Sequence, residues 1–208
     1  MKSSSLRIPL HATPEQHARL LALQQAFAAV CNALAPIVQQ NRCWHRVTLH
    51  HLAYRSLRAQ FPAIGSQMVC NAVYSVCRTA RLVFQHPASP LHVSRLGSKP
   101  LPLMEFSDDS PVYFDRHTLS VKAGQLSMFT LDGRMRFQLA LSAADEARFH
   151  TEKLHEVVLS RARGGGFELS FWFTEGSPEA REDNVPAAHT QRGPFPAYVK
   201  VEVPHELS

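Results

Sequence analysis

Residues 112–141 read VYFDRHTLSVKAGQLSMFTLDGRMRFQLAL. Leu119 and Val121, Leu126 and Met128, and Met135, Phe137 and Leu139 each alternate with polar neighbours, the period of two that a half-buried strand requires. Gly124 and Asp132-Gly133 punctuate the runs, and Leu131-Asp132-Gly133-Arg134 suits a hairpin turn because Asp-Gly accommodates positive φ. The stretch predicts short antiparallel strands in a sheet or small barrel, joined upstream by LPLMEF at residues 101–106. Downstream, residues 142–160 (SAADEARFHTEKLHEVVLS) read as one amphipathic helix, with Ser142 as N-cap, acids early, and Phe149, Leu154, Val157 and Val158 inward. Gly164–Gly166 then breaks the chain before FELSFWFT, a strand with Phe167, Leu169, Phe171 and Phe173 on one face. Residues 175–196 are polar and proline-rich, as expected of a mobile linker, and a last strand is expected at Tyr198–Val203.

Upstream, the texture is helical. Leu6, Ile8 and Leu10 alternate in a short strand, where Pro9 is tolerated at a sheet edge. Thr13-Pro14-Glu15-Gln16 reads as an N-cap, a first-turn proline and an acidic or amide first turn. The helix it starts carries Leu20, Leu21, Leu23, Phe27, Val30, Cys31 and Leu34, and continues past Pro36 to Val38. A second helix is expected from Thr48, as N-cap, through Leu49, Leu52, Leu57 and Phe61, stopping at Pro62. Ser66 opens a third, SQMVCNAVYSVCRTARLVF, whose wet face is expected to carry Gln67, Asn71, Tyr74, Arg78 and Arg81.

The net charge of +5 hides an asymmetry. Residues 1–104 hold eleven Lys or Arg against one carboxylate, Glu15, and residues 105–208 hold eleven against sixteen. Between Glu15 and Glu105 there is no Asp or Glu, while Arg19, Arg42, Arg46, Arg55, Arg58, Arg78, Arg81, Arg95 and Lys99 all fall there. A folded segment without counter-charge repels itself, so a polyanion is expected to neutralise it, and nucleic acid is the common one. Arginine outnumbers lysine, and its planar guanidinium forks phosphate and stacks on bases. A solvated helical face would account for the arginines but not for the missing carboxylates. Trp44, Tyr54 and Tyr74 stand near Arg42, Arg46, Arg55 and Arg78, a combination able to stack bases, the alternative being that the rings belong to a core.

Other chemistry finds little footing. The spacing of Cys43, His45, His50 and His51 matches no common zinc pattern. No C-x-x-C pair joins the four cysteines, and Cys70 and Cys77 read as small core residues. No G-x-S-x-G turn is present, and Gly164–Gly166 lacks the Lys-Ser or Lys-Thr of a phosphate loop. No catalytic residue, metal or cofactor is expected. With no run of eighteen apolar residues and no apolar stretch behind MKSSSLRIPLHA, neither a membrane span nor a signal peptide is expected, and a bacterial cytosol or nucleoid is the expected home.

A strand, then LHATPEQ leading a helix, then Cys31-Asn32 late in that helix, then Ser66-Gln67 opening a third helix resembles the start of the TnpB family, relatives of the type V CRISPR effectors. The segment from Val112 to Leu141, followed by GGGFELSFWFT, resembles that family's Gly-Arg hairpin and Phe-rich strand, and the resemblance covers roughly residues 5–175. It implies an α+β fold in which a small antiparallel β-barrel, an oligonucleotide-binding-like wedge, carries an inserted basic helical bundle. The implied layout is a first wedge strand at 1–11, a helical recognition-like domain at 12–88, the wedge barrel with one helix at 89–175, and a linker with terminal strand at 176–208. It also implies a guide RNA and a short motif in double-stranded DNA as partners, with sequence reading left to base pairing. By position Ser66, Gln67 and Asn71, with Tyr74 beside them, would meet the DNA motif. Arg7, Arg42, Arg46, Arg55, Arg58, Arg78, Arg81, Arg95 and Lys99 would meet nucleic-acid backbone. The family's RuvC-like carboxylates have no counterpart in these residues, so other protein subunits would supply nuclease or helicase action, or the chain would act as a guided repressor. Two other readings stay open: a DNA-binding regulator that needs no RNA and places the third helix in a major groove, and an interaction scaffold whose acidic second half docks a basic partner.

Overall fold

The computed structural model describes residues 3–174 and 195–202. In chain order the elements are β1 (Ser3–Leu10), α1 (Pro14–Asn41), α2 (Arg46–Gln60), α3 (Ser66–Phe84), α4 (Val93–Leu96), β2 (Leu103–Phe106), β3 (Val112–Phe114), β4 (Leu119–Lys122), β5 (Gln125–Thr130), β6 (Gly133–Gln138), α5 (Ala143–Thr151), β7 (Lys153–Arg161), β8 (Phe167–Thr174) and β9 (Val199–Glu202). They divide into two compact units, whose described parts are residues 3–24 with 111–174 and residues 25–110 with 195–202. The expected linker at 175–196 lies outside the described residues up to position 194.

In the first unit, β1, β8, β7 and β3 form an antiparallel sheet in that order. Ile8 and Leu159 flank Leu169, while Leu10 lies opposite Phe167, which gathers Phe167, Leu169, Phe171 and Phe173 on one buried face as the alternation foretold. Phe149 of α5 meets Phe171 and Phe173 edge-on at 5.1 and 5.2 Å. Pro9 is exposed on the edge strand, where its missing N–H costs no ladder bond. Apart from β3, the quoted stretch forms a separate three-stranded meander, β4-β5-β6, with Leu126, Met128, Met135 and Phe137 buried in alternation. Ala123 and Gly124 turn β4 into β5 at φ of 48° and 70°, and Gly133 stands at 87° where β6 begins.

Two expectations fail here. The fold is α+β, but the described strands form open sheets of four, three and two strands, and no closed barrel is present among them. An open sheet with one covered face shows the same period of two as a barrel wall, and closure depends on edge pairing and shear, which local alternation does not encode. The helix expected over 142–160 ends at Thr151, and residues 153–161 become β7. Its start is as expected, with the Ser142 hydroxyl accepting from the Asp145 amide at 3.1 Å. Beyond it, Glu156 to Ser160 are buried without a break, because β7 lies between β3 and β8 with both faces covered, and a doubly buried strand loses its alternation.

The second unit holds the rest of α1 with α2, α3, α4 and the β2-β9 ribbon. At the start of α1, in the first unit, Thr13 and Gln16 form a reciprocal capping box: the Gln16 amide donates to Thr13 Oγ1 at 3.2 Å and the Thr13 amide to Gln16 Oε1 at 3.0 Å. The helix runs through Pro36, as expected, and buries Phe27, Val30, Cys31, Leu34 and Val38. By length and composition alone α1 is apolar enough to cross a membrane, so the lack of an eighteen-residue apolar run does not exclude a span; half of the helix's apolar eighteen-residue stretch is buried inside the protein. Asn32 anchors β2, donating to the Phe106 carbonyl at 2.8 Å and accepting from the Phe106 amide at 2.7 Å. α2 begins at Arg46 with His45 as its cap residue, so Thr48 sits inside the first turn rather than at the cap. Its core line is Leu49, Ala53 and Leu57, while Leu52, expected inward, is exposed. α3 is buried on most sides through small residues such as Ala72, Val76 and Ala80, which lets its neighbours approach closely.

Candidate nucleic-acid interface

α2 and α3 are joined by the Phe61–Gly65 turn and pack on each other. On α2, Arg46, His50, Tyr54 and Arg58 follow one another at intervals of four, so they ascend a single flank. On α3, Gln67, Cys70, Tyr74, Arg78 and Arg81 are half-buried, as is Leu82 beside Arg81, and the five form a stripe centred on Tyr74. The two rows meet where the Arg46 guanidinium lies over the Tyr74 ring, 5.5 Å from its centroid. His50 stacks on Tyr54 with centroids 4.6 Å apart and planes 23° from parallel, and His51 meets His50 edge-on.

The expected DNA-reading set is only partly brought together. Ser66 is exposed at the helix start, and Gln67 and Tyr74 are half-buried on one stripe. Asn71 instead turns inward and is buried, its amide 3.9 Å from Met68 Sδ, so the expected wet face lacks it. An amide at that depth reaches a base edge only if the bundle rearranges. The spacing 67, 71, 74, 78 puts Asn71 at the rim of the stripe, and intervals of three and four do not reveal on which side of the rim a residue falls.

The nine basic residues separate into groups with different duties. Arg7 lies in the first unit, 4.0 Å from the Glu168 carboxylate. Arg42, at φ 47° just past α1, donates to the carbonyls of Gly97 and Lys99, both at 2.8 Å. Arg58 donates to the Ile64 carbonyl that ends the α2-α3 turn, and Arg95 to the carbonyls of Ser89 and Pro87. These three arginines satisfy loop carbonyls that no helix or strand would otherwise pair. A guanidinium keeps its full charge while doing so. Arg46, Arg55 and Lys99 are exposed, and Arg78 and Arg81 are half-buried. Among the described residues none of Arg42, Arg46, Arg55, Arg58, Arg95 and Lys99 forms an ion pair.

The aromatic residues divide too. Trp44, Tyr54 and Tyr74 are all half-buried, but Trp44 packs on the buried Phe84 at 5.6 Å, whereas Tyr54 and Tyr74 lie in the rows described above. Val47 was not singled out from the sequence, and His50, the partner of Tyr54, was weighed there with Cys43, His45 and His51 as a metal ligand and set aside in favour of a surface residue or RNA contact. The interval of four from Arg46 through His50 and Tyr54 to Arg58 was the available signal. Burial pushes the Cys31 thiol far up, against a smaller opposing effect of a hydrogen bond with Ser75, so Cys31 is a core residue. Among the described residues no group of three His, Cys, Asp or Glu side chains is placed to hold a metal. No family model matches the chain, and no curated protein matches it in sequence.

Proposed function

We propose that this protein binds nucleic acid through the α2-α3 pair, and that the polyanion it holds is RNA. The observation carrying the reading is the carboxylate-free stretch from Gln16 to Met104, whose part from residue 25 onward lies in the second unit, where six basic side chains have no acidic partner among the described residues. Such a surface attracts phosphates and releases their counterions on contact. RNA is favoured over duplex DNA because Asn71, one of the three amide or hydroxyl side chains expected to read a duplex motif, is buried. The finer reading is of a TnpB-like, cytosolic guide-RNA holder that contacts double-stranded DNA beside its target and relies on other subunits for catalysis. The order of one strand, a run of helices and a return to strands supports that reading.

Purification with nuclease treatment, followed by sequencing of the protected RNA, tests the proposal: discrete fragments are expected, and their absence counts against it. Arg46→Glu with Arg55→Glu should weaken RNA binding by about tenfold or more near physiological salt, since two phosphate contacts become two repulsions, while leaving the melting temperature within a few degrees. Unchanged affinity in that double variant would count heavily against this face.

A further inference from the structure

We infer that the outward flank of α2 takes the unpaired bases of a single-stranded RNA, an inference that rests on the nucleic-acid reading above and names its substrate class. Val47, His50, His51 and Tyr54 stand at i, i+3, i+4 and i+7, the pattern that marks the buried stripe of an amphipathic helix. Here the stripe runs along a flank of α2, beside the inward line of Leu49, Ala53 and Leu57 and only partly covered. Val47 is 58% exposed, His51 is exposed, and His50 and Tyr54 are half-buried. The exposed edge of this row is more apolar and aromatic than solvation requires, and a base plane is the ligand that matches flat rings edged by positive charge.

Charge and geometry select the occupant. Arg46 and Arg55 bracket the row and have no carboxylate partner among the described residues, so an acidic macromolecule is favoured over a neutral one. The His50–Tyr54 pair is already stacked at 4.6 Å, and a third ring extends such a stack without new reorganisation of the protein. In a duplex every base is already stacked on its neighbours, so only an unpaired base gains from these rings. RNA presents unpaired loops and ends as a matter of course, whereas cellular DNA is mostly paired. Arg46 over Tyr74 supplies a second cation-ring site one turn from His50, at a spacing a neighbouring nucleotide can span.

The test uses the full chain and strands of roughly 12 nucleotides, within the range one stacking groove covers. Anisotropy titrations would compare a labelled uridine strand, a thymidine strand of equal length and an RNA duplex, and a uridine strand carrying one 2-aminopurine would report stacking by its quenched fluorescence. The expected result is tightest binding to the RNA strand, quenching on binding, and a loss of roughly five- to a hundredfold for Tyr54→Ala with recovery in Tyr54→Phe. Equal affinity for duplex and single strand, with no quenching and no effect of Tyr54→Ala, would overturn the stacking site while leaving the charge-based reading standing. Equal affinity for the thymidine strand would overturn RNA as the occupant. No binding to any of the three would sink both.

Discussion

Asn32 shows how one side chain can replace a strand. Its side-chain amide pairs with both the N–H and the carbonyl of Phe106, at 2.7 and 2.8 Å, as a neighbouring strand would. Asn32→Ala leaves a donor and an acceptor unmet in a half-buried place, and should lower unfolding free energy by about 1–3 kcal/mol in denaturant titrations. Asn32→Asp, which cannot donate, should also destabilise the chain. Thiol chemistry gives a second check at this scale. Cys31 and Cys77 are buried, while Cys43 and Cys70 are half-buried. Two of the four thiols should react promptly with a disulfide reagent in the native protein and the other two only on unfolding. Four prompt thiols would contradict the packing of α1 on α3. Glu152 carries a pH dependence. The Arg148 guanidinium at 2.8 Å, and then the Ser4 hydroxyl, hold its carboxyl below the ordinary value. A lowered carboxylate stabilises the fold above the ordinary value, and that contribution disappears as pH falls through the folded-state value. Thermal melts between about pH 6 and 3 should therefore fall more steeply for the parent chain than for Glu152→Gln.

Among the elements, the turn between β4 and β5 is built against preference. Ala123 holds φ 48° and Gly124 φ 70°, the pair of left-handed residues that a two-residue hairpin takes and that Asn-Gly satisfies best. Ala123→Asn should stabilise the protein by roughly 0.5–1 kcal/mol, read as a raised midpoint in chemical denaturation. A valine at Gly124 should do the opposite, since a Cβ there lies 3.0 Å from Gln138 Nε2 in a backbone region that side chains avoid. The sequence was legible where local chemistry decides. Thr13-Pro14-Glu15-Gln16 declares the start of α1, Ser142 declares that of α5, and the Phe row of β8 reads directly from its alternation. It was illegible where a segment satisfies two periods at once. Leu154, Val157 and Val158 fit intervals of three and four as well as a buried strand, and only pairing with β3 and β8 chooses the strand. Leu52 misled for a related reason: Leu49, Ala53 and Leu57 already fill the inward line, and an alanine carries little weight in a hydrophobic pattern although it packs well.

At the scale of the whole molecule the charge asymmetry survives folding as a division of labour among like residues. The absence of carboxylates, visible at once in the sequence, said that positive charge would go unanswered within the stretch, and Arg19 finds its counter-charge outside it, in Asp132 at 3.7 Å. That absence could not say which guanidinium groups would also be needed at home, because a bond to a loop carbonyl leaves no mark on composition. Binding measured against salt separates the two sets. Neutralising Arg55, an exposed side chain with no ion pair among the described residues, should reduce the slope of log affinity against log salt by about one, the signature of one phosphate contact.

Arg42, Arg58 and Arg95, whose donors hold the carbonyls of Gly97, Lys99, Ile64, Ser89 and Pro87, will behave differently in a charge-scanning survey. Each replacement strips a brace from a loop, so part of the apparent affinity deficit will reflect melted chains rather than a lost ligand contact. Temperature tells them apart: cooling toward the stability maximum should shrink the deficit at those three positions and leave the one at Arg55 in place.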